Sequence, residues 1–261
     1  MNALSSAAAM LCAIGLSSAP LIAATCEAGK GYVAADVSEQ ITSKFARGIA
    51  DIGVKTIIRY YDHENETLPG KTLTSRELNI IADAGLNVAV IFQHHNDRVE
   101  TFLTKGRGQR DASRSLELAL KFSQPKGSAI YFGVDGVDEL YYDMIKSGKA
   151  AGERGTGGGF IENHVTRYFS EVNRVLAGSG YKVGAYGSGA VCDHLLKNEL
   201  VDYCWLANAK GWSGYRSFED SKRWVLKQHL TTKRSQCFGT EVDLNTGNER
   251  FADFGQWKPK S

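Results

Sequence analysis

The sequence predicts an α/β fold in which five strand–helix units are followed by three further strands, eight in all, closing into a barrel. Three observations predict it. Of 261 residues, 43% are hydrophobic and 23% charged, enough apolar material for one large core and too much for a disordered chain. From Gly31 onward, short apolar runs alternate with helix-like segments, the pattern of parallel strands buried on both faces. The last three strand-like runs follow one another without a helix of normal length between them, and eight strands closed on themselves leave no edge exposed.

Taken in order, the strand runs are YVAADVS (32–38), KTIIRYYD (55–62), NVAVIFQH (87–94), SAIYFGVD (128–135), KVGAYGS (182–188), YCWLANA (203–209), RWVLKQHL (223–230) and EVDLN (241–245). Helices are expected from Thr42 to Ile52, Ser75 to Ala84, Asp111 to Phe122, Phe160 to Ala177 and Ala190 to Lys197. Thr74 with Glu77 three residues on makes a capping box. Asp111 is read as the cap of SRSLELALKF, and Ser188 as the cap of the fifth helix. Gly136 to Gly159, rich in glycine and charge, reads as a long mobile loop after the fourth strand. Gly155–Gly159 lacks the preceding strand and following Lys-Ser/Thr of a phosphate loop.

Lys and Arg number 31 against 29 Asp and Glu, so no net field argues for nucleic acid. The basic stretch Lys105, Arg107, Arg110 and Arg114 reads as a solvated loop and helix start. Ala3 to Ala24 carries no charge and holds a short apolar run from Ala7 to Leu16. Residues 1–24 are read as a cleavable signal peptide, residues 25–261 as a single domain, and the mature chain as secreted or periplasmic without a stable membrane span. An uncleaved anchor and a misplaced start codon are the competing readings. Four cysteines then remain: Cys26, Cys192, Cys204 and Cys237. Three pairings are open to them; nearness in sequence favours Cys192 with Cys204, leaving Cys26 with Cys237. Zinc is disfavoured because no Cys-x-x-Cys or adjacent His supplies ligand spacing, and no metal or cofactor is expected.

Several strand runs end in a carboxylate: Asp36, Asp62, Asp135 and Asp243. Strand ends of a parallel barrel share one rim, so acids remote in sequence converge there. Glycosidic cleavage needs such a set: one carboxyl holds a proton for the leaving oxygen, and another stays ionised to stabilise positive charge or activate water. The competing reading of each Asp is a turn or helix cap. Other rim candidates are Tyr60, Gln93, Tyr186, Asn208, Trp212 and Gln228, whose rings stack on sugars and whose polar groups bond hydroxyls. Tyr60 and Tyr61 cannot both face inward, and parity with Asp62 selects Tyr60. His94 and His95 read as an ordinary surface pair, and Trp205 and Trp224 as core.

The ordered series AADVS, TIIRYY, LTSRELNIIADAGLNVAVIFQ, IYFGVD, VGAYGSG, WLA, WVLKQH and EVDLN, spanning Gly31 to Asn245, resembles the glycoside hydrolase-like domain of exported bacterial proteins. More distantly it is similar to the family 25 lysozymes, which cleave peptidoglycan. The resemblance implies a TIM-like barrel of five βα units plus three strands, and a glycan partner, peptidoglycan or another cell-envelope polysaccharide. It carries Asp36, Asp135 and Asp243 onto the family's acids. The lysozymes read Asp-x-Glu at the fourth strand, the Glu donating the proton; this chain reads Asp135-Gly136-Val137-Asp138-Glu139, so Asp138 or Glu139 would have to take its place if the strand end bulges, Asp138 being counted among the acidic set. The alternative is a non-catalytic glycan-binding or cell-envelope protein on the same barrel.

Overall fold

A computed structural model describes residues 31–63, 68–147, 158–229 and 240–260. Eight strands close into one barrel in sequence order. They are β1 (Tyr32–Asp36), β2 (Thr56–Tyr61), β3 (Asn87–Phe92), β4 (Ala129–Gly133), β5 (Lys182–Gly187), β6 (Tyr203–Leu206), β7 (Leu226–His229) and β8 (Asp243–Gly247). The helices are α1 (Ser43–Asp51), α2 (Ser75–Asp83), α3 (Val99–Leu103), α4 (Arg107–Lys121), α5 (Val137–Lys146), α6 (Gly158–Phe160), α7 (Thr166–Leu176), α8 (Gly189–Lys197) and α9 (Tyr215–Ser221). A π-helical turn, Ile161–Val165, joins α6 to α7.

The TIM-like architecture of five βα units and three strands is present, with three corrections to the expected detail. Strands β1 to β7 run parallel, but β8 is antiparallel to both β7 and β1. Part of the expected loop after β4 is helical: VDELYYDMIK forms α5 with two acids in its first turn, a favourable place against the helix dipole. A third correction concerns Asp111. Helix α4 begins four residues earlier, at Arg107, so Asp111 lies inside it, buried, and takes hydrogen bonds from Tyr168 Oη (2.8 Å) and Arg107 Nε (2.7 Å). That Arg107 contact also places one member of the basic stretch in a structural ion pair.

Alternation along the strands separates two packed layers. Ala35, Ile57, Val90, Phe132 and Ala185 face the helices, whereas Ala34, Ile58, Ile91, Tyr131 and Trp205 fill the barrel. Gly184 makes room for the Tyr131 ring, which lies where a Cβ would otherwise stand. The Tyr131 hydroxyl reaches the Phe254 carbonyl at 2.7 Å, and Trp257 bridges to Val88, so the C-terminal segment covers the barrel floor. Parity holds for the tyrosine pair: Tyr61 turns outward and donates to Gln124 Oε1 (2.9 Å), while Tyr60 packs with the interior.

Capping follows the sequence. Thr74 and Glu77 form the capping box of α2, and Ser188 accepts from Val191 N at the start of α8. Glu77 also takes the buried Arg59 guanidinium at 2.9 Å, and Arg59 reaches the carbonyls of Val37 and Gly70, tying β1, β2 and α2 together. A disulfide joins Cys192 on α8 to Cys204 on β6, the favoured pairing. Cys26 and Cys237, and the segment 1–24, lie outside the described residues.

Candidate functional site at the barrel mouth

Asp36 ends β1, and its cross-strand partner in the β1–β8 ladder is Asp243. Reversal of β8 puts its first residue at the rim where β1 ends, so residues opposite one another in an antiparallel ladder present both carboxylates to one face. Both line a cleft of about 320 Å³ at the barrel mouth together with Asp135, which follows β4. Tyr60, Gln93, Tyr186, Asn208, Trp212 and Gln228 complete the polar and aromatic wall, with Trp205 beneath.

A ladder of amides holds the acids. Asn245 Nδ2 donates to Asp36 Oδ2 at 2.7 Å, and Asn245 Oδ1 accepts from Trp205 Nε1 at 2.8 Å. Because the indole N–H only donates, it fixes which way the Asn245 amide points. Gln228 Nε2 lies 3.3 Å from Asp36 Oδ1 and 3.4 Å from Asp243 Oδ2, while its Oε1 accepts from the Tyr186 hydroxyl at 2.9 Å. Gln228 therefore bridges two carboxylates. Burial, reinforced by the Asp243 charge, pushes the Asp36 carboxyl up to about 7, against the pull of the Asn245 and Gln228 amides.

Across the mouth, Gln93 Nε2 donates to Asp135 Oδ2 at 3.0 Å and its Oε1 accepts from Lys71 Nζ at 3.0 Å. Burial first, and then the Asp97 charge, raises the Asp135 pKa; the Gln93 bond and Lys71 oppose this. Lys71 also sits over the Tyr60 ring, 4.7 Å from its centroid. Burial drives the Lys71 ammonium down despite the nearby carboxylates. The Tyr60 phenol is pushed well up by burial and by Asp36 and Asp135, which keeps it a hydrogen-bond donor. Trp212 packs onto Gly136, whose φ of +71° and missing side chain admit the indole.

Two expected members do not join. Asp138 lies in the first turn of α5, buried, accepting from Ser188 Oγ at 2.7 Å and lining a different pocket. Val137 packs in the helix-side core. Asp62 stands beyond the end of β2, fully buried, and accepts from His94 Nδ1 (2.7 Å) and the His63 amide (2.6 Å) rather than facing the cleft. His94 is accordingly buried and not a surface residue. Sequence reasoning missed Asn245 and Lys71. Asn245 shares parity with Asp243 and was open to detection by the period-two rule; Lys71 belongs to a loop and carries no such signal. Among the described residues no group of three His, Cys, Asp or Glu side chains is set to hold a metal ion.

The chain is 27% identical over 217 residues to the uncharacterized protein FadG of Bacillus subtilis, covering 82% of this chain and 34% of the relative. A second B. subtilis protein, YbfG, is 27% identical over 206 residues, 75% of this chain and 26% of that one. The chain thus spans about a third or less of the length of these curated relatives. Among solved structures it superposes on the Tat-secreted protein Rv2525c of Mycobacterium tuberculosis, in complex with L-tartrate, with a TM-score of 0.64 and 20% identity over 87% of this chain and 98% of that one. It also superposes on the modular autolysin LytC of Streptococcus pneumoniae, with a TM-score of 0.51 and 14% identity over 83% and 46%. At these identities the likeness is one of fold. The family model for the Rv2525c-like, glycoside hydrolase-like domain matches residues 47–253, and the chain belongs to that family.

Proposed function

We propose that this chain is an exported protein that hydrolyses a cell-envelope glycan, peptidoglycan being the favoured polymer, by carboxylate acid/base chemistry. The observation that carries the reading is the Asp36 carboxyl held at about 7 in a cleft shared with Asp135 and Asp243. A group with that proton affinity is still partly protonated near neutral pH and is matched to general-acid work. Asp36 gives its proton to the leaving glycosidic oxygen. Asp243 and Asp135 supply negative charge against the positive charge that develops on the sugar, and one of them activates water. Tyr60 and Trp212 offer faces for sugar rings, and Asn208 offers an amide for hydroxyls. Export is supported by the uncharged apolar segment within residues 1–24. No described helix is long and apolar enough to cross a membrane.

A second reading, glycan binding without cleavage, is favoured by one observation: the position where family 25 lysozymes carry their acid is a buried Val137, and Asp138 is turned to Ser188. Incubation with purified peptidoglycan and chitooligosaccharides separates the two. Hydrolysis requires reducing ends to appear with the wild-type chain and to fall by about 10²-fold or more in Asp36→Asn and Asp135→Asn. Retention of glycan with no release, or release equal in the variants, rejects it.

A further inference from the structure

Lys71 reaches the mouth without lining it. Its backbone runs beside the end of β2, where Leu73 N donates to the Tyr60 carbonyl at 2.8 Å and Thr72 bridges to Tyr60. From there its ammonium lies over the Tyr60 ring, donates to Gln93 Oε1 at 3.0 Å and stands 3.4 Å from the Gln93 carbonyl oxygen. Tyr60 and Gln93 line the cleft; Lys71 touches both and is not itself part of the lining. A side chain so placed acts on the cleft through those neighbours.

What it does to Gln93 follows from hydrogen-bond polarity. The two ends of a glutamine amide are alike in size and opposite in character: Nε2 donates and Oε1 accepts. An ammonium only donates, so it takes Oε1 and leaves Nε2 for Asp135 Oδ2, 3.0 Å away. Turning the amide over would set N–H against ammonium and oxygen against carboxylate, and both bonds would be lost. Burial and then the Asp97 charge favour a neutral Asp135, whereas the Gln93 N–H and the Lys71 charge favour the ionised form. Both favourable influences thus depend on one lysine. Burial keeps the phenols of Tyr60 and Tyr186, which face the same carboxyl, neutral. Around the ammonium, burial disfavours the charge, Asp62, Asp135 and Asp97 favour it, and Arg59 opposes it.

We propose that Lys71 is a positioning residue: by holding Oε1 of Gln93 it aims the Gln93 N–H at Asp135 and keeps that carboxyl ionised. With Asp36 as the proton holder, this separates the roles of two acids that share one cleft. The part that Lys71 plays in hydrolysis rests on the hydrolytic reading of the mouth; its action on Asp135 can be read without any turnover.

The test follows the side-chain carboxyl ¹³C shifts of the whole chain from about pH 3 to about pH 9, with Asp36→Asn and Asp135→Asn to assign the two acids. In Lys71→Met the Asp135 midpoint should rise by about one pH unit or more. In Lys71→Arg, which also only donates, it should stay within about half a unit of wild type, and the Asp36 midpoint should hold in both. An Asp135 midpoint unmoved in Lys71→Met, one that Lys71→Arg fails to restore, or an equal rise at Asp36 overturns the proposal. If Lys71→Met does not fold, Lys71→Gln takes its place, since it removes the charge and permits either amide orientation: a rise of about half a unit or more supports the role, and an unmoved midpoint removes it. Where the wild-type chain releases reducing ends, the acid limb of its pH–rate profile should move with Asp135 in Lys71→Met. No release from any chain rejects hydrolysis alone, and the carboxyl midpoints still decide whether Lys71 acts on Asp135.

Discussion

Replacing Asp36 by Asn should remove a stability penalty that grows with pH, set against the loss of one amide acceptor, and the pH-dependent part can be worked from the site. Burial and Asp243 lift the Asp36 carboxyl from the ordinary 3.8 to about 7. At 1.36 kcal/mol per pH unit, that corresponds to about 4 kcal/mol. The sign follows from proton counting. Between about pH 4 and pH 7 the unfolded chain has released this proton while the folded chain keeps it, so stability falls as pH rises, and the penalty is complete above about pH 8. Asparagine has nearly the same shape and never ionises. Urea denaturation of both chains at intervals from pH 4 to pH 8.5 gives a difference curve in which shifts common to both proteins cancel. The variant's advantage should grow by up to about 4 kcal/mol across the window and then level. A flat difference curve, or one that falls with pH, would refute the claim that Asp36 is buried against a second carboxylate.

Three further outcomes test the framework. Val137→Glu restores the lysozyme spelling but puts a carboxylate into the helix-side core, so it should lower the melting temperature and add no reducing-end release; gained hydrolysis would mean that the residue faces the cleft. Gly184→Ala places a Cβ 2.5 Å from the Tyr131 ring and should cost about 1–3 kcal/mol in denaturant unfolding, whereas an unperturbed midpoint would deny that close approach. Removing the Cys192–Cys204 bond by a double alanine substitution opens a loop of 12 residues and should cost about 3 kcal/mol on the chain-entropy model, read from the same unfolding curves under oxidising conditions.

The strands were legible because strands buried on both faces appear as short apolar runs, and each of the eight runs contains or overlaps one. The direction of β8 was not. Its connection from β7 is long enough for either sense, and no residue in EVDLN distinguishes them. Helix α5 was obscured because VDELYYDMIK stands beside a glycine-rich tract that dominates the local composition. Within strands, parity places side chains well: it selects Tyr60 over Tyr61, and Asp36 is on the interior face. Beyond a strand's last residue the rule lapses, since turn geometry sets direction. Asp62 and Asp138 both lie past that limit, and both turn away from the mouth.

The reversed eighth strand has a consequence for how such a barrel can diversify. The Asp36–Asp243 pairing belongs to the backbone hydrogen-bond register, not to a loop, and Asn245 sits on the same ladder. Remodelling the segments that carry Asn208 and Trp212 would therefore leave the pairing of the two acids in place and reach Asp36 only through how far the cleft is covered.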